Sequence, residues 1–361
     1  MNGDDLIERL LKCIIENRNI FEAPSKYFEE DFENYFALRI DNYYSFLKEN
    51  NFSQYLNELY KFQSGITSNK DELKLLNRIY GFSDVLKRGI KNYFNGKPNK
   101  FYESFSSSLD NLLKFKDNVF ITEITLGTNF YRVRNSPKPL RAVDMFHIPF
   151  QLRHLCSTQR YSIPGVPSIY LGSSTKICFR ELEIDEPKSK ESYISLFQTN
   201  KILNVLEILT VEGFIGKMKL ADSFSQKLDL LLKFVTLFPL YLASTIKVKV
   251  NQGFKPEYIV AQFLLEYVSS LNENEKKIDG IKFPSTKVEE FSFEYNLVLP
   301  IVQNAASGHC SYLKQILRVS EPFYSGDISI IKNTKSFDEI DFKKVDLEVA
   351  TGKAEILHTE P

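Results

Sequence analysis

The strongest constraint on this chain is a change of hydrophobic rhythm near residue 120. Upstream, apolar residues recur at intervals of three and four, as in Phe32, Phe36, Ile40, Tyr43, Tyr44 and Leu47. That spacing lays one apolar stripe along an α-helix. Residues 4 to about 116 read this way. A further helix opens at Asn69-Lys70-Asp71 and runs through Leu73, Leu76, Ile79 and Tyr80, and Gly96 and Pro98 break the pattern before another short helix. Downstream, "VFITEITLGTNFYRVR" alternates and is rich in β-branched residues, which predicts strands joined by a turn at Gly127.

"SIYLGSS" and "YISLFQTN" are further strand candidates, and "DGIKFPS" with "EYNLVLP" reads as a late strand pair. Between them lie helical stretches at about 219–246 and 256–271, the second opening on Pro256, a residue suited to a first helical turn. The expected architecture is α+β: an all-α N-terminal domain over 1–120, a mixed α/β domain over 121–335, and a charged tail over 336–361 without periodicity, read as loosely ordered. No internal repeat is visible.

At 361 residues and 43% hydrophobic, the chain can bury a substantial core. Its 46 basic and 46 acidic residues cancel, without the overall basic excess of a dedicated nucleic-acid binder. Cys13, Cys156, Cys178 and Cys310 are scattered and form no disulfide framework. The start, "MNGDDLIERLLK", carries acids where a signal peptide carries basic residues. The most apolar stretch, 228–245, is interrupted by Asp229, Lys233 and Pro239, whereas a membrane span needs about 20 nearly unbroken apolar residues. These features predict a soluble, cytoplasmic protein.

Local charge is less even. Of the 12 arginines, Arg132, Arg134, Arg141, Arg153, Arg160 and Arg180 lie between 132 and 180, and Asp144 and Glu181 are the only acids over 130–181. Arginine grips phosphate bidentately, so this density suggests an anion site, against a basic surface or a set of internal ion pairs. The strand "SIYLG" then delivers Ser173, Ser174 and Thr175 to a helix beginning near Lys176. Such a turn either offers N–H groups and hydroxyls to an anion or simply caps the helix. Glu181 falls about two turns into that helix, where Ile177, Cys178 and Leu182 are expected to face the core. Its carboxylate is either a structural ion-pair partner or a group that stabilises a developing cation. His147, His154 and Cys156 fit no standard zinc spacing, and no metal site is expected. GxSxG, GxGxxG and GxxxxGK[ST] motifs are absent from the sequence.

Taken in order, "FYRVR" (130–134), "QRYS" (159–162), "PSIYLGSSTKICFRE" (167–181), "PEYIVAQFLLEYV" (256–268), "IDGIKFPS" (278–285) and "YNLVLP" resemble the RES domain, over about half of the chain. That family comprises bacterial toxins, often paired with an Xre-type antitoxin, that degrade NAD by glycohydrolysis or phosphorolysis on a fold similar to ADP-ribosyltransferase toxins. By motif, the resemblance implies Arg160, Glu181 and Ser285 as catalytic residues, with Arg132, Tyr161 and Tyr170 around the substrate, and the hydroxyl-bearing turn read above adds Ser173 to that set. NAD would be the substrate rather than a cofactor, with inorganic phosphate a possible co-substrate. In this picture Arg160 and Arg132 hold phosphates or ribose, and Tyr161 and Tyr170 stack on nicotinamide or close the pocket. Glu181 stabilises oxocarbenium character, and Ser285 positions the ribose or carboxamide. The helical extension before 120 departs from the motif set. It is open whether it docks an antitoxin, senses a trigger or mediates homo-oligomers. ADP-ribosyl transfer to a macromolecule, or a non-catalytic nucleotide-binding or scaffold module, are the rival expectations.

Overall fold

The computed structural model describes residues 2–27, 31–64, 72–113, 120–184, 192–249, 253–271, 278–287, 294–302 and 304–324. In chain order, five helices come first: α1 (Gly3–Glu16), α2 (Phe32–Glu49), α3 (Phe52–Ser64), α4 (Glu72–Phe94) and α5 (Pro98–Leu113). There follow β1 (Ile121–Ile124), β2 (Asn129–Asn135), β3 (Ser168–Gly172), α6 (Thr175–Glu181), β4 (Ser192–Thr199) and β5 (Leu203–Glu207). Then come α7 (Val211–Leu220), α8 (Phe224–Thr245), α9 (Ile259–Leu271), β6 (Gly280–Phe283) and β7 (Asn296–Pro300). The last are α10 (Ser311–Ile316), β8 (Leu317–Val319) and β9 (Phe323–Tyr324). The opening at Asn69–Asp71 and the tail over 336–361 lie outside the described residues.

The chain forms two compact units, Met1–Phe120 with Ile208–Leu264 and Ile121–Glu207 with Leu265–Pro361. The first is helical. In α1 the Asn2 side chain accepts from the Asp5 N–H while Asp5 reaches back to the Asn2 N–H, a reciprocal cap that satisfies two orphan donors. Leu6, Ile7, Leu10 and Ile14 are then buried at helical spacing. In α2 the stripe reads Phe32, Tyr35, Phe36, Ile40, Tyr43, Phe46 and Leu47, and Tyr44 turns partly outward to donate its hydroxyl to the Tyr80 carbonyl.

The chain passes from the first unit to the second after Phe120, returns to the first at Ile208 and leaves it again after Leu264. Ile208–Leu264 belongs with the helices. The reason is α8, buried at every residue from Leu231 to Thr245. A helix apolar on all sides must be enclosed on all sides. Phe234 and Phe238 pack on Phe21 with centroids 5.5 and 5.0 Å apart, and Tyr43 donates its hydroxyl to the Val235 carbonyl. This helix is long and apolar enough to cross a membrane, but 89% of its most apolar window is buried inside the protein.

Among the described residues the second unit holds a nine-stranded sheet in the order β1-β5-β6-β7-β3-β2-β4-β8, with β9 also on β4. The β5–β6 pair is parallel and the others antiparallel, so the sheet is mixed. β1 and β2 are joined at Gly127, whose φ of +80° is the left-handed conformation glycine tolerates. The two strands nevertheless pair elsewhere: β1 with β5, and β2 with β3 and β4. β6 and β7 form the expected late pair, with Ile281 opposite Val298 and Phe283 opposite Asn296.

Candidate active site

β3 and α6 are joined through a tight corner. A Cβ on Gly172 would stand 2.6 Å from Cys178 Sγ and 2.6 Å from an Ile177 methyl, so only glycine lets the helix settle this close to the strand end. Ser174 is the N-cap, accepting from the Ile177 N–H at 3.2 Å, and it also donates to the Glu294 carboxylate. Ser173 extends the β3–β7 ladder: its N–H donates to the Tyr295 carbonyl at 2.9 Å and its hydroxyl accepts from the Tyr295 N–H at 2.8 Å. Both serines therefore do structural work, and Ser173 is not presented as a substrate ligand. Within α6, Ile177 and Phe179 are buried, whereas Leu182 is 45% exposed, against its expected core position.

The helix ends on Glu181. Its Oε1 accepts from Asn296 Nδ2 at 2.7 Å, and its backbone carbonyl accepts from Lys287 Nζ at 2.6 Å. Lys287 also pairs with the Glu183 carboxylate at 2.9 Å, and its backbone N–H donates to Ser285 Oγ at 3.2 Å. One residue earlier, Thr286 Oγ1 accepts from Arg160 Nη2 at 3.3 Å. The turn after β6 thus links three of the expected catalytic residues: Arg160 through Thr286, Ser285 directly, and Glu181 through Lys287. Arg160 and Ser285 are buried, at 8% and 6% exposure, so neither serves as a solvating surface group.

The tyrosines separate. Tyr161 is fully buried with its ring 4.3 Å, centroid to centroid, from that of Phe283. The structure thus shows the Tyr161 ring packed in the core against Phe283. Tyr170, half-buried, donates its hydroxyl to the Tyr161 carbonyl.

Arg132, expected beside the substrate, meets main-chain carbonyls. It is tied to the 3₁₀ turn that follows β2, donating from Nη1 to the Met145 and Phe146 carbonyls at 3.2 and 3.1 Å. Burial, with neighbouring Arg134 adding repulsion, pushes its pKa down to about 9. Arg134 donates to the Asp144 carbonyl, Arg141 pairs with the Asp144 carboxylate at 3.3 Å, and Arg153 donates to Gly165 and Asn304. The arginine density seen in the sequence is therefore largely internal scaffolding. His147, once weighed as a metal ligand, accepts from the Cys310 N–H at Nε2 (2.8 Å) and sits 2.8 Å from the Ile148 carbonyl at Nδ1. Both ring nitrogens are engaged.

Sequence reasoning missed Asn296, Thr286 and Lys287. Asn296 stood in view within "YNLVLP", where all five residues of β7 are buried. A buried carboxamide in such a run calls for a partner.

With this geometry in place, comparison adds one relative. The chain is 30% identical over 297 residues to the Bacillus subtilis (strain 168) protein named "Putative toxin YopC". The match spans 76% of this chain and 64% of that protein, so this chain spans under two thirds of its relative's length. No family model matches the chain, and neither does any solved structure.

Proposed function

We propose that the Arg160–Ser285–Glu181 cluster cleaves NAD at the nicotinamide–ribose bond, and that the protein acts as a bacterial toxin. The observation that carries this reading is the Glu181 carboxylate, fixed by Asn296 and joined through one turn to Arg160 and Ser285. The likeness to a protein named as a toxin supports the biological role. The ordered motifs and the mixed sheet agree with a RES domain and its ADP-ribosyltransferase-like fold.

The chemistry follows from charge. In NAD the leaving group is a cationic pyridinium. When the C–N bond breaks, its electron pair stays on nitrogen, nicotinamide leaves neutral, and positive charge develops on the ribose C1′ and ring oxygen. A fixed carboxylate beside that carbon stabilises the transition state more than the ground state. Water then adds to C1′ and loses a proton, giving ADP-ribose; phosphate would give the sugar phosphate instead. Arg160 supplies donors for a pyrophosphate or ribose oxygen. Such a substrate places the action in the cytoplasm, and an Xre-type antitoxin is the partner the resemblance implies.

The test is nicotinamide release from NAD by the full chain, with and without phosphate. Release by wild type and its loss in Glu181→Ala supports the reading. No release from wild type, where a RES enzyme is active, overturns it. Radiolabel retained on a protein or nucleic acid would instead assign ADP-ribosyl transfer.

A further inference from the structure

Glu181 occupies an awkward place for a carboxylate. It is the last residue of α6, where unpaired carbonyls make the local field negative. A carboxylate there needs donors to hold it in one orientation. The nearby cation does not supply them: Lys287 Nζ goes to the Glu181 backbone carbonyl and to Glu183. The donor is neutral Asn296, at 2.7 Å on Oε1. Among the described residues no hydrogen bond reaches Oε2.

We propose that Asn296 is the positioning residue of the site, aiming Glu181 with a neutral donor so that Oε2 keeps its full charge for the substrate. This rests on the reading of Glu181 as the group that stabilises the ribosyl cation. Three features carry it. Asn296 is 7% exposed and opens β7, where Gly172 of β3 and Phe283 of β6 stand opposite it, so strands hold it on both sides. Gly172, lacking a side chain, is also what brings α6 and hence Glu181 within its reach. Finally, an amide engages one oxygen without neutralising the charge, whereas an ammonium in the same place would compete with a developing cation.

The experiment compares full-length wild type, Asn296→Ala and the isosteric Asn296→Asp, by nicotinamide release and by crystal structures of the first two. Asn296→Ala is expected to lower kcat by about 10- to 100-fold while KM stays within about threefold, a split that a general loss of fold does not produce. In Asn296→Asp a second carboxylate faces the first, so the acid limb of the pH–rate profile moves to higher pH. In the Asn296→Ala structure the Glu181 carboxylate leaves its wild-type position.

Unchanged kcat with Glu181 unmoved overturns the proposal. If Asn296→Ala does not fold, the pH profile of Asn296→Asp decides: a shifted limb supports positioning, and an unshifted one overturns it. If wild type releases no nicotinamide, the NAD reading fails, while positioning stands or falls on the two crystal structures, or on the Asn296→Asp structure where Asn296→Ala does not fold.

Discussion

Arg132, half-buried, and Arg160, buried, are both arginines of the sheet unit, and the two meet different kinds of partner. Arg132 is bound by two main-chain carbonyls, Met145 and Phe146, that lie 13 and 14 residues along the chain. Arg160 meets a side-chain hydroxyl, Thr286, that arrives 126 residues later. A carbonyl in a tight turn has a fixed position, so Arg132 fastens that turn to β2. A threonine hydroxyl can rotate and both give and accept hydrogen bonds, so its bond with Arg160 is a less fixed tie than one to a main-chain carbonyl. The difference teaches that arginine density alone does not mark an anion site. The partner type is what the two arginines do not share.

Substituting the two arginines breaks this comparison most directly. Arg132→Ala leaves two carbonyls without donors and a void beside Met145, and is expected to cost about 2–4 kcal/mol of stability, read as a lowered Tm. Arg160→Ala is expected to leave the fold standing and to reduce kcat/KM for NAD by about 100-fold or more. The reverse pattern, a folded Arg132→Ala with lost turnover beside an active Arg160→Ala, would exchange the two roles.

Gly172→Ala comes next. The added methyl meets Cys178 Sγ and Ile177 at 2.6 Å, so α6 must shift away from the strand. Overpacking of this kind is expected to cost about 1–3 kcal/mol, and turnover should fall because Glu181 moves from Asn296. Thermal unfolding and nicotinamide release on one preparation check both effects. Unchanged Tm would mean that the corner is looser than its contacts indicate.

A smaller effect concerns the scaffold side alone. Burial pushes His147 down to about 3 and His309 to about 4, from an ordinary value of 6.5. Arg132 and Lys314 add repulsion at His147, while at His309 Lys314 opposes and Asp144 favours the charged form. Between those folded values and 6.5 the unfolded chain binds protons that the folded chain refuses, so stability falls as pH drops through that window and is level above it. A Tm series from pH 7 to 4 should show this slope, and His147→Gln should flatten it while activity at pH 7 is kept. An equal slope in His147→Gln would assign the acid sensitivity to other groups.

Much of this comparison could be read from the chain, and the unread part has a physical reason. The α2 stripe, the strands around Gly127 and the strand–turn–helix ending in Glu181 are local patterns, set by spacing and capping within a few residues. The place of 208–264 was hidden because it depends on Phe234 and Phe238 meeting Phe21, some 200 residues away. Arg132 looked like a ligand arginine because a sequence shows charge density but not which carbonyl consumes it. Asn296 was passed over because its neighbours Leu297, Val298 and Leu299 announce only a buried strand. Its value appears once α6 is laid beside β7.

The smallest expected effect is at Lys287, where the linking turn meets α6. Its pair with Glu183 is solvent-facing, with side chains 39% and 65% exposed, so Lys287→Met should change stability by no more than about 1 kcal/mol, less still at high salt. The backbone N–H that serves Ser285 survives this substitution, as do Thr286 and Asn296. What is lost is the ammonium on the Glu181 carbonyl, which steadies the helix end but does not touch the carboxylate. Turnover should therefore fall by less than about tenfold, well short of the loss expected for Glu181→Ala. A collapse as deep as that of Glu181→Ala would mean that Lys287 meets the substrate itself. The functional side of the site would then rest on two cations, Arg160 and Lys287, instead of one.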